Sequence, residues 1–343
     1  MLYDVTIGIP VFQAVDYISD TIQSALSQTF TNIEFLIVDD CGEDGSIDIV
    51  KRYKKEHPRG EHIRILTNLS HQGVGATRNR ILDEAQGRCL YFLDSDDTIA
   101  PHTIQLLWDN RCQYDAEVVY ASYEMVDLVK YQPTRVYQKP DLVLLNDDEL
   151  ATFAFKHSRV FHVSVCNCLI DMTFLRGTGL HFINAMFWED MAFTYELVTK
   201  VHHAVLLSDV TYHYNCRPGS LSHYQDRAQL QKDEIMKNVS TLNYLKDKSV
   251  DLKGKNYLSY LYYNLEMSSF YVVCHVLKHN RRIIPPISYQ ELHEIMNSPL
   301  RLLDVLNWRK RFAANLGMWF ISHLPVHLFV QAIKLIGKLK KVL

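Results

Sequence analysis

Two clusters of aspartates stand out in this 343-residue chain, Asp39-Asp40 and Asp94-Ser95-Asp96-Asp97. Each closes a short apolar run, residues 35–38 in the first case and 89–93 in the second. Such runs read as buried strands, and in a parallel α/β sheet ligands bind beyond the carboxyl ends of the strands. Five carboxylates gathered on one rim repel each other unless a cation or hydrogen-bond donors meet them. A divalent ion with oxygen ligands, Mg2+ or Mn2+, joins carboxylates of this kind to phosphate oxygens. The chemistry expected is that of a phosphorylated substrate held through a metal. Taken alone, Asp97 reads equally well as a helix-capping acid, because it stands near a helix start.

The elements that must position these acids alternate along the first third of the chain. Residues 5–9, 35–38, 63–66, 89–93 and 117–121 are short apolar runs that read as buried strands. Ile18, Ile22, Ala25 and Leu26 recur at helical spacing, which predicts a helix over 17–28. A second helix, capped by Asp44 or Ser46, runs to about His57 before Pro58 stops it. A third spans 73–86 and closes at Gly87, and a fourth starts at Pro101 and reaches about Gln113. Strands alternating with helices imply an α/β fold with right-handed crossovers and a mostly parallel sheet flanked by helices. Residues 122–225 are less regular, rich in aromatic and polar side chains, and suit acceptor-side loops. From Asp226 onward the pattern is helical, with helices over 227–246 and 257–278. The expected division is a catalytic α/β domain over 1–225 and a helical extension over 226–343.

Composition narrows the function classes. Hydrophobic residues make up 48% of the chain and charged residues 22%, enough to bury a sizeable core. The net charge of -3 supplies no basic field for nucleic acid. The seven cysteines are scattered without a C-x-x-C pair, which argues against a disulfide framework and a structural zinc site and fits a reducing, cytoplasmic compartment. A strand pattern begins within a few residues of the N-terminus, so no signal peptide is expected. No apolar run of roughly 18 residues or more precedes the C-terminal segment, so the body of the chain is not expected to span a membrane.

The order and spacing of five segments then resemble a known family. Ile7-Gly-Ile-Pro-Val-Phe-Gln13, Ser27-Gln-Thr-Phe30, Ile37-Val-Asp-Asp40, Gly73-Val-Gly-Ala-Thr-Arg-Asn79 and Phe92-Leu-Asp-Ser-Asp-Asp97 are similar to the family 2 inverting glycosyltransferases. Trp188-Glu-Asp190 looks like that family's later acidic motif, and His213-Tyr-Asn-Cys-Arg217-Pro-Gly-Ser-Leu-Ser222 like the segment after it. The likeness covers about 1–225. It implies a GT-A-type fold and transfer of a sugar, with inversion, from a nucleotide-diphosphate sugar. Three positions depart from the family pattern. Gln13 replaces the usual Asn, Cys41-Gly42 the common Gly-Ser, and Gly75 the common Ser.

The resemblance also assigns roles. Pro10, Val11 and Phe12 border a base pocket, and Asp40 accepts a hydrogen bond from a uracil-type N–H, as an acceptor-only carboxylate can. Asp39 either assists Asp40 or is structural. Arg78 meets the base or the diphosphate with its fork of donors. Asp94, with Ser95 beside it, sits near the ribose, and Asp96 holds the metal, which neutralises charge on the departing nucleotide diphosphate. Asp190 is the general base for the acceptor hydroxyl, with Glu189 its rival. Trp188 offers a flat face for an acceptor sugar. His213 is a second metal ligand or a diphosphate contact, and Arg217, Ser220 and Ser222 form a polar lid or an ordinary loop.

The C-terminal segment 316–343 differs in kind. Its apolar residues are interrupted by His323, Pro325 and His327, and then mixed with Lys334, Lys338, Lys340 and Lys341, with no acid among them. We read it as a basic amphipathic segment for an anionic membrane interface; the competing reading is a helix docked on the protein with a solvated lysine tail. An interfacial tail in a reducing compartment suits a lipid-linked saccharide acceptor at the inner leaflet, as in surface polysaccharide assembly. Two other classes remain. A sugar nucleotidyltransferase on a similar scaffold usually carries a Gly-rich basic loop after the first strand, where this chain has Phe12-Gln-Ala-Val-Asp16. A non-catalytic sugar-binding relic is disfavoured by Asp94, Asp96 and Asp190.

Overall fold

The computed structural model describes residues 2–128, 132–158, 160–161, 164–185, 188–216 and 228–343. The chain divides into two compact units. The first comprises Met1–Leu150, Arg159–Asn184 and Glu189–Pro218, and the second Ala151–Ser158, Ala185–Trp188 and Gly219–Leu343.

In the first unit the alternating pattern folds as β1 (Tyr3–Val11), α1 (Ile18–Leu26), β2 (Ile33–Asp39), α2 (Ser46–Glu56), β3 (Ile63–Thr67), α3 (Val74–Glu84) and β4 (Gly87–Phe92). There follow β5 (Thr98–Ile99), α4 (Thr103–Tyr114) and β6 (Val118–Asp127). The strands β3-β2-β1-β4 are parallel, as the sequence pattern predicts, and their β-branched side chains fill a core with Ile18, Ile22, Ala25 and Leu26 of α1. The span 122–225, expected to be loop-rich, instead supplies more sheet to this unit: β7 (Gln132–Tyr137), β8 (Leu142–Leu144), β9 (Cys168–Asp171) and β10 (Ala204–Cys216), with α6 (Met172–Thr178) and α7 (Glu189–Val198), while α5 (Glu149–Lys156) falls mostly in the second unit. Among the described residues these strands make one mixed sheet in the order β3-β2-β1-β4-β9-β6-β10-β5, with β7 also paired to β6 and β8 to β10. β9 enters antiparallel to both β4 and β6, and β10 then runs parallel to β6.

One glycine sets how closely α3 lies on this sheet. Gly8 sits mid-strand in β1, and a Cβ there would collide with Ile81 Cγ2 of α3. The missing side chain lets the helix settle on the sheet, which matters because α3 carries Thr77 and Arg78.

The second unit is helical. It contains α8 (Lys232–Ser249), α9 (Leu258–His279), α10 (Tyr289–Ile295), α11 (Leu302–Leu306), α12 (Phe312–Ser322) and α13 (Val326–Leu339). The C-terminal segment is two helices, because Pro325 lacks the N–H that a continuous helix needs. One face of α13 is docked: Phe329, Val330 and Ile333 are buried with Phe270, Val273 and Ile295. Its other face leaves Leu328, Leu335 and Leu339 exposed beside Lys334 and Lys338. The docking expected of a helix packed on the protein is thus seen for one face of the segment. Among the described residues, no helix is long and apolar enough to cross a membrane.

Candidate active site

Strand lengths shape the rim that carries the acids. β1 and β2 end level, with Val11 opposite Asp39, whereas β4 ends at Phe92, opposite Gly8. Leu93 N–H bonds Gly8 O at 3.0 Å and starts the aspartate-rich stretch in the step left by the shorter strand.

Asp40 builds one corner. Its carboxylate is only 2% exposed and takes four contacts. Oδ1 accepts from Asn68 Nδ2 at 2.7 Å and from Gln72 N–H at 2.9 Å. Oδ2 accepts from Gly73 N–H at 2.8 Å and faces His71 Nδ1 at 2.8 Å. The His71 ring in turn stacks on Phe12, with centroids 4.0 Å apart and planes 24° from parallel. Gly73 adopts φ +90° as it leads into α3, a conformation that strains any residue with a Cβ.

Arg78 builds the other corner. Nη1 donates to Glu189 Oε1 at 2.6 Å and Nη2 to Asp94 Oδ1 at 2.7 Å, and the side chain is buried. Burial works against the charged guanidinium, but the charges of Asp94 and Glu189 outweigh it and hold the pKa well above the ordinary value. The two corners are linked through α3, since Thr77, one residue from Arg78, receives Asn68 Nδ2 on its hydroxyl at 3.3 Å. Asn79 adds a third tie: its amide bonds Phe182 O at 2.8 Å and accepts from Phe182 N–H at 2.7 Å. Phe182 stacks on Phe193 of α7 with centroids 4.2 Å apart, so α3 also positions the helix that begins with Glu189 and Asp190.

Asp190 stands in the first turn of α7 with Oδ1 accepting from Met191 N–H at 2.7 Å. Burial, followed by the neighbouring charge of Glu189, pushes its pKa up to about 7, with Arg78 pulling the other way. A carboxyl held there can accept a proton near neutral pH and surrender it afterwards.

Asp97 is not a solvated cap. It is buried, accepting from Tyr212 OH at 2.5 Å and Asn215 N–H at 2.7 Å. Burial, followed by the charges of Asp96 and Asp94, raises its pKa well above the carboxylate range. Asn215 Nδ2 also holds Asp96 O at 2.8 Å, which ties the aspartate loop to β10. His213, paired with Thr98 across β5 and β10, places Nδ1 2.8 Å from Glu124 Oε1.

Several residues stand differently from what the resemblance implied. Val11 packs into the core, and Pro10 is buried beside it. Phe12 is 39% exposed at the rim, with the His71 ring stacked on it. Asp39 is buried and bonds Gly42 N–H at 3.0 Å, which makes it a turn anchor. Arg78 is a buried clamp, with one arm of its fork on Glu189 and the other on Asp94. Glu189, assigned to the acceptor, is its partner. Ser95 contributes its carbonyl, which accepts from Thr21 Oγ1 at 3.0 Å. Trp188 belongs to the second unit and takes φ +62°, unusual for a bulky residue. Arg217, Ser220 and Ser222 lie outside the described residues.

The departures from the family pattern become intelligible. Cys41 adopts φ +61°, which suits the glycine common there, and its thiol bonds Asn68 O at 2.8 Å. Gln13 takes φ +48°, a region asparagine tolerates better. A Cβ at Gly75 would sit 3.1 Å from Ile183 O, so glycine fits the tight approach. His71, Asn68 and Asn79 were missed as site residues. Only Asn79 left a signal, as the partner of Arg78 in the fourth matched segment.

A parallel half-sheet with paired aspartates beyond its strands, joined through Arg78 to the helix that begins with Glu189 and Asp190, is the frame that the comparisons with known proteins identify. The family model for glycosyl transferase family 2 matches residues 6–177, and the chain belongs to that family. It is a glycosyltransferase of GT-A-like fold. A Bacillus subtilis (strain 168) protein, TuaG, whose name places it in teichuronic acid biosynthesis, is 25% identical over 243 residues, covering 71% of this chain and 90% of TuaG. The Escherichia coli UDP-Glc:alpha-D-GlcNAc-diphosphoundecaprenol beta-1,3-glucosyltransferase WfaP is 26% identical over 237 residues, covering 68% of this chain and 86% of WfaP. Among solved structures, S. aureus TarS 1-349 in complex with UDP-GlcNAc superposes with a TM-score of 0.60 at 17% identity, over 95% of this chain and 83% of that one.

Proposed function

We propose that this enzyme transfers a sugar, with inversion, from a UDP-sugar to a hydroxyl of a lipid-linked saccharide during surface polysaccharide assembly. The observation that carries the chemistry is the placement of Asp190, raised to about 7, next to the Glu189–Arg78–Asp94 chain of ion pairs. The name of WfaP, with UDP-Glc and a diphosphoundecaprenol-linked GlcNAc, supports the donor and acceptor classes, and that of TuaG supports a role in polysaccharide assembly.

In this reading Asp190 Oδ1 is steadied by Met191 N–H while Oδ2 takes the proton of the acceptor hydroxyl. The acceptor oxygen attacks the anomeric carbon, the bond from that carbon to the diphosphate breaks, and the nucleotide diphosphate leaves with the electron pair. One displacement inverts the configuration. Arg78 keeps Asp94 at the rim, where its free oxygen faces the ribose, and fixes the start of α7 so that Asp190 stays in place.

The residues at the rim fit a divalent ion shared with the diphosphate. Asp96 is part-exposed, and His213 has Nδ1 oriented by Glu124, the arrangement that frees Nε2 as a ligand. Among the described residues no group of three such ligands is preformed, so Asp96 and His213 would hold the ion together with substrate phosphates, as suits Mg2+ or Mn2+. When bound, the ion would neutralise charge on the leaving diphosphate.

The exposed face of α13 supports attachment to an anionic membrane surface: Leu328, Leu335 and Leu339 insert while Lys334 and Lys338 reach lipid phosphates. The reading as a whole is tested by a thermal-shift screen of nucleotide sugars with and without Mn2+, followed by product analysis with the stabilising donor. Mass action raises the melting temperature with the true donor. A new glycosidic bond and free UDP are expected; pyrophosphate, or no product from any donor, would refute it.

A further inference from the structure

The Asp40 corner already holds a flat, nitrogen-bearing ring. His71 lays its imidazole against Phe12 at 4.0 Å and points Nδ1 at Asp40 Oδ2 from 2.8 Å. Because an ionised carboxylate only accepts, Nδ1 carries the hydrogen. A stacked aromatic face plus a ring N–H aimed at a carboxylate is also what a uracil ring presents. The geometry points to His71 as an internal stand-in for the donor's base, which occupies the base site of the ligand-free enzyme and must swing out before the nucleotide binds. This rests on the UDP-sugar reading of the same pocket.

Acceptor capacity makes the two rings mutually exclusive. A carboxylate offers about four lone-pair sites. Asn68, Gln72 and Gly73 take three of them on Asp40, and His71 takes the fourth. The first three come from the loop that sets the start of α3, and giving one up would loosen the helix that carries Arg78. The His71 contact is the one a base N–H can replace at no cost to the scaffold. His71 is also free to leave. Its side chain is 55% exposed, and the backbone N–H groups of Gln72 and Gly73 hold the loop to Asp40 without it. The closed state keeps a buried carboxylate fully satisfied when no donor is present, and it lowers apparent donor affinity by the fraction of enzyme that is open.

The test compares wild type, His71→Ala and Phe12→Ala by calorimetric titration with UDP and, separately, with inorganic pyrophosphate, at one pH and one Mn2+ concentration. Phe12 and His71 are both at the surface, so the variants are expected to fold, which their melting curves check. His71→Ala should tighten UDP by about three-fold or more and leave pyrophosphate unchanged, because only the base competes with the imidazole. Phe12→Ala should weaken UDP. If Phe12→Ala weakens UDP but His71→Ala leaves it unchanged or weaker, the base pocket stands and the plug is overturned, with His71 clamping the base instead. If Phe12→Ala leaves UDP binding unchanged, the pocket assignment itself fails and the plug falls with it. An equal change in pyrophosphate binding in His71→Ala would mean a general loosening of the loop and would also overturn the proposal.

Discussion

Arg78 and Glu189 are 111 residues apart in sequence and meet at 2.6 Å. With the second arm of the same guanidinium on Asp94 at 2.7 Å, one side chain spaces the acid of the aspartate loop from the helix that bears Asp190. A rigid planar fork fixes the spacing of the two carboxylates, whereas the rotatable donors of an ammonium on a flexible stem would not. Arg78→Ala leaves two acids without their partner, and the expected loss of stability is about 3 kcal/mol. Arg78→Lys should recover part of that stability but little activity. Urea denaturation and turnover measured on both variants check this; full activity in Arg78→Lys would contradict a spacing role.

The rate should depend on pH through Asp190. Its pKa is raised to about 7, so below that value the carboxyl is neutral and cannot take the acceptor's proton. Turnover at saturating substrates should therefore fall about ten-fold per pH unit on the acid side and level off above the pKa. A profile that stays flat from pH 5.5 to 8.5 under rate-limiting chemistry would remove Asp190 from the proton transfer.

Metal dependence should reside in Asp96 before His213. Asp96→Asn should lower transfer roughly a hundred-fold or more, by the scale of lost transition-state charge stabilisation. It should also abolish the extra UDP affinity that Mn2+ confers. His213→Ala should do the same more weakly, since one imidazole among several ligands is lost. Titrations of UDP with and without Mn2+ separate the cases. Equal Mn2+ dependence in Asp96→Asn and wild type would move the metal elsewhere.

Membrane attachment should follow the exposed face of α13. Deleting 316–343 is a poor test, because Phe329, Val330 and Ile333 belong to the core of the second unit. Leu335→Glu with Leu339→Glu changes only exposed positions. The double variant should stay in solution in sedimentation with phosphatidylglycerol vesicles that pull down the wild type, while melting normally. Equal sedimentation of the two proteins would contradict the interface reading.

The half of the fold nearest the N-terminus was legible because β1, β2 and β4 are buried on both faces. Val5, Ile7 and Ile9, or Phe35, Ile37 and Val38, can only be core, and the helices between them show a clear apolar stripe. The span 122–225 was not legible for a matching reason. β7 is exposed along its length, so it shows no hydrophobic period, and β9 is four residues long and paired on both sides by strands distant in sequence. The acids themselves were visible, but their duties were not. Nothing around Arg78 announces a partner at Glu189, and nothing near Asp97 shows that Tyr212 will cover it. His71 gave no signal at all, since its meaning lies in a contact with Phe12 across 59 residues of chain.

Asp190→Asn probes the account most directly. The amide is nearly isosteric with the carboxyl but cannot accept the acceptor's proton as a carboxylate does. UDP-sugar affinity and glycosidic product formation are measured on the same preparation. The expected result is donor affinity within about two-fold of wild type and a loss of product formation of roughly a hundred-fold or more. Near-normal product formation by Asp190→Asn would contradict the assignment of the base and, with it, the mechanism built on that carboxyl.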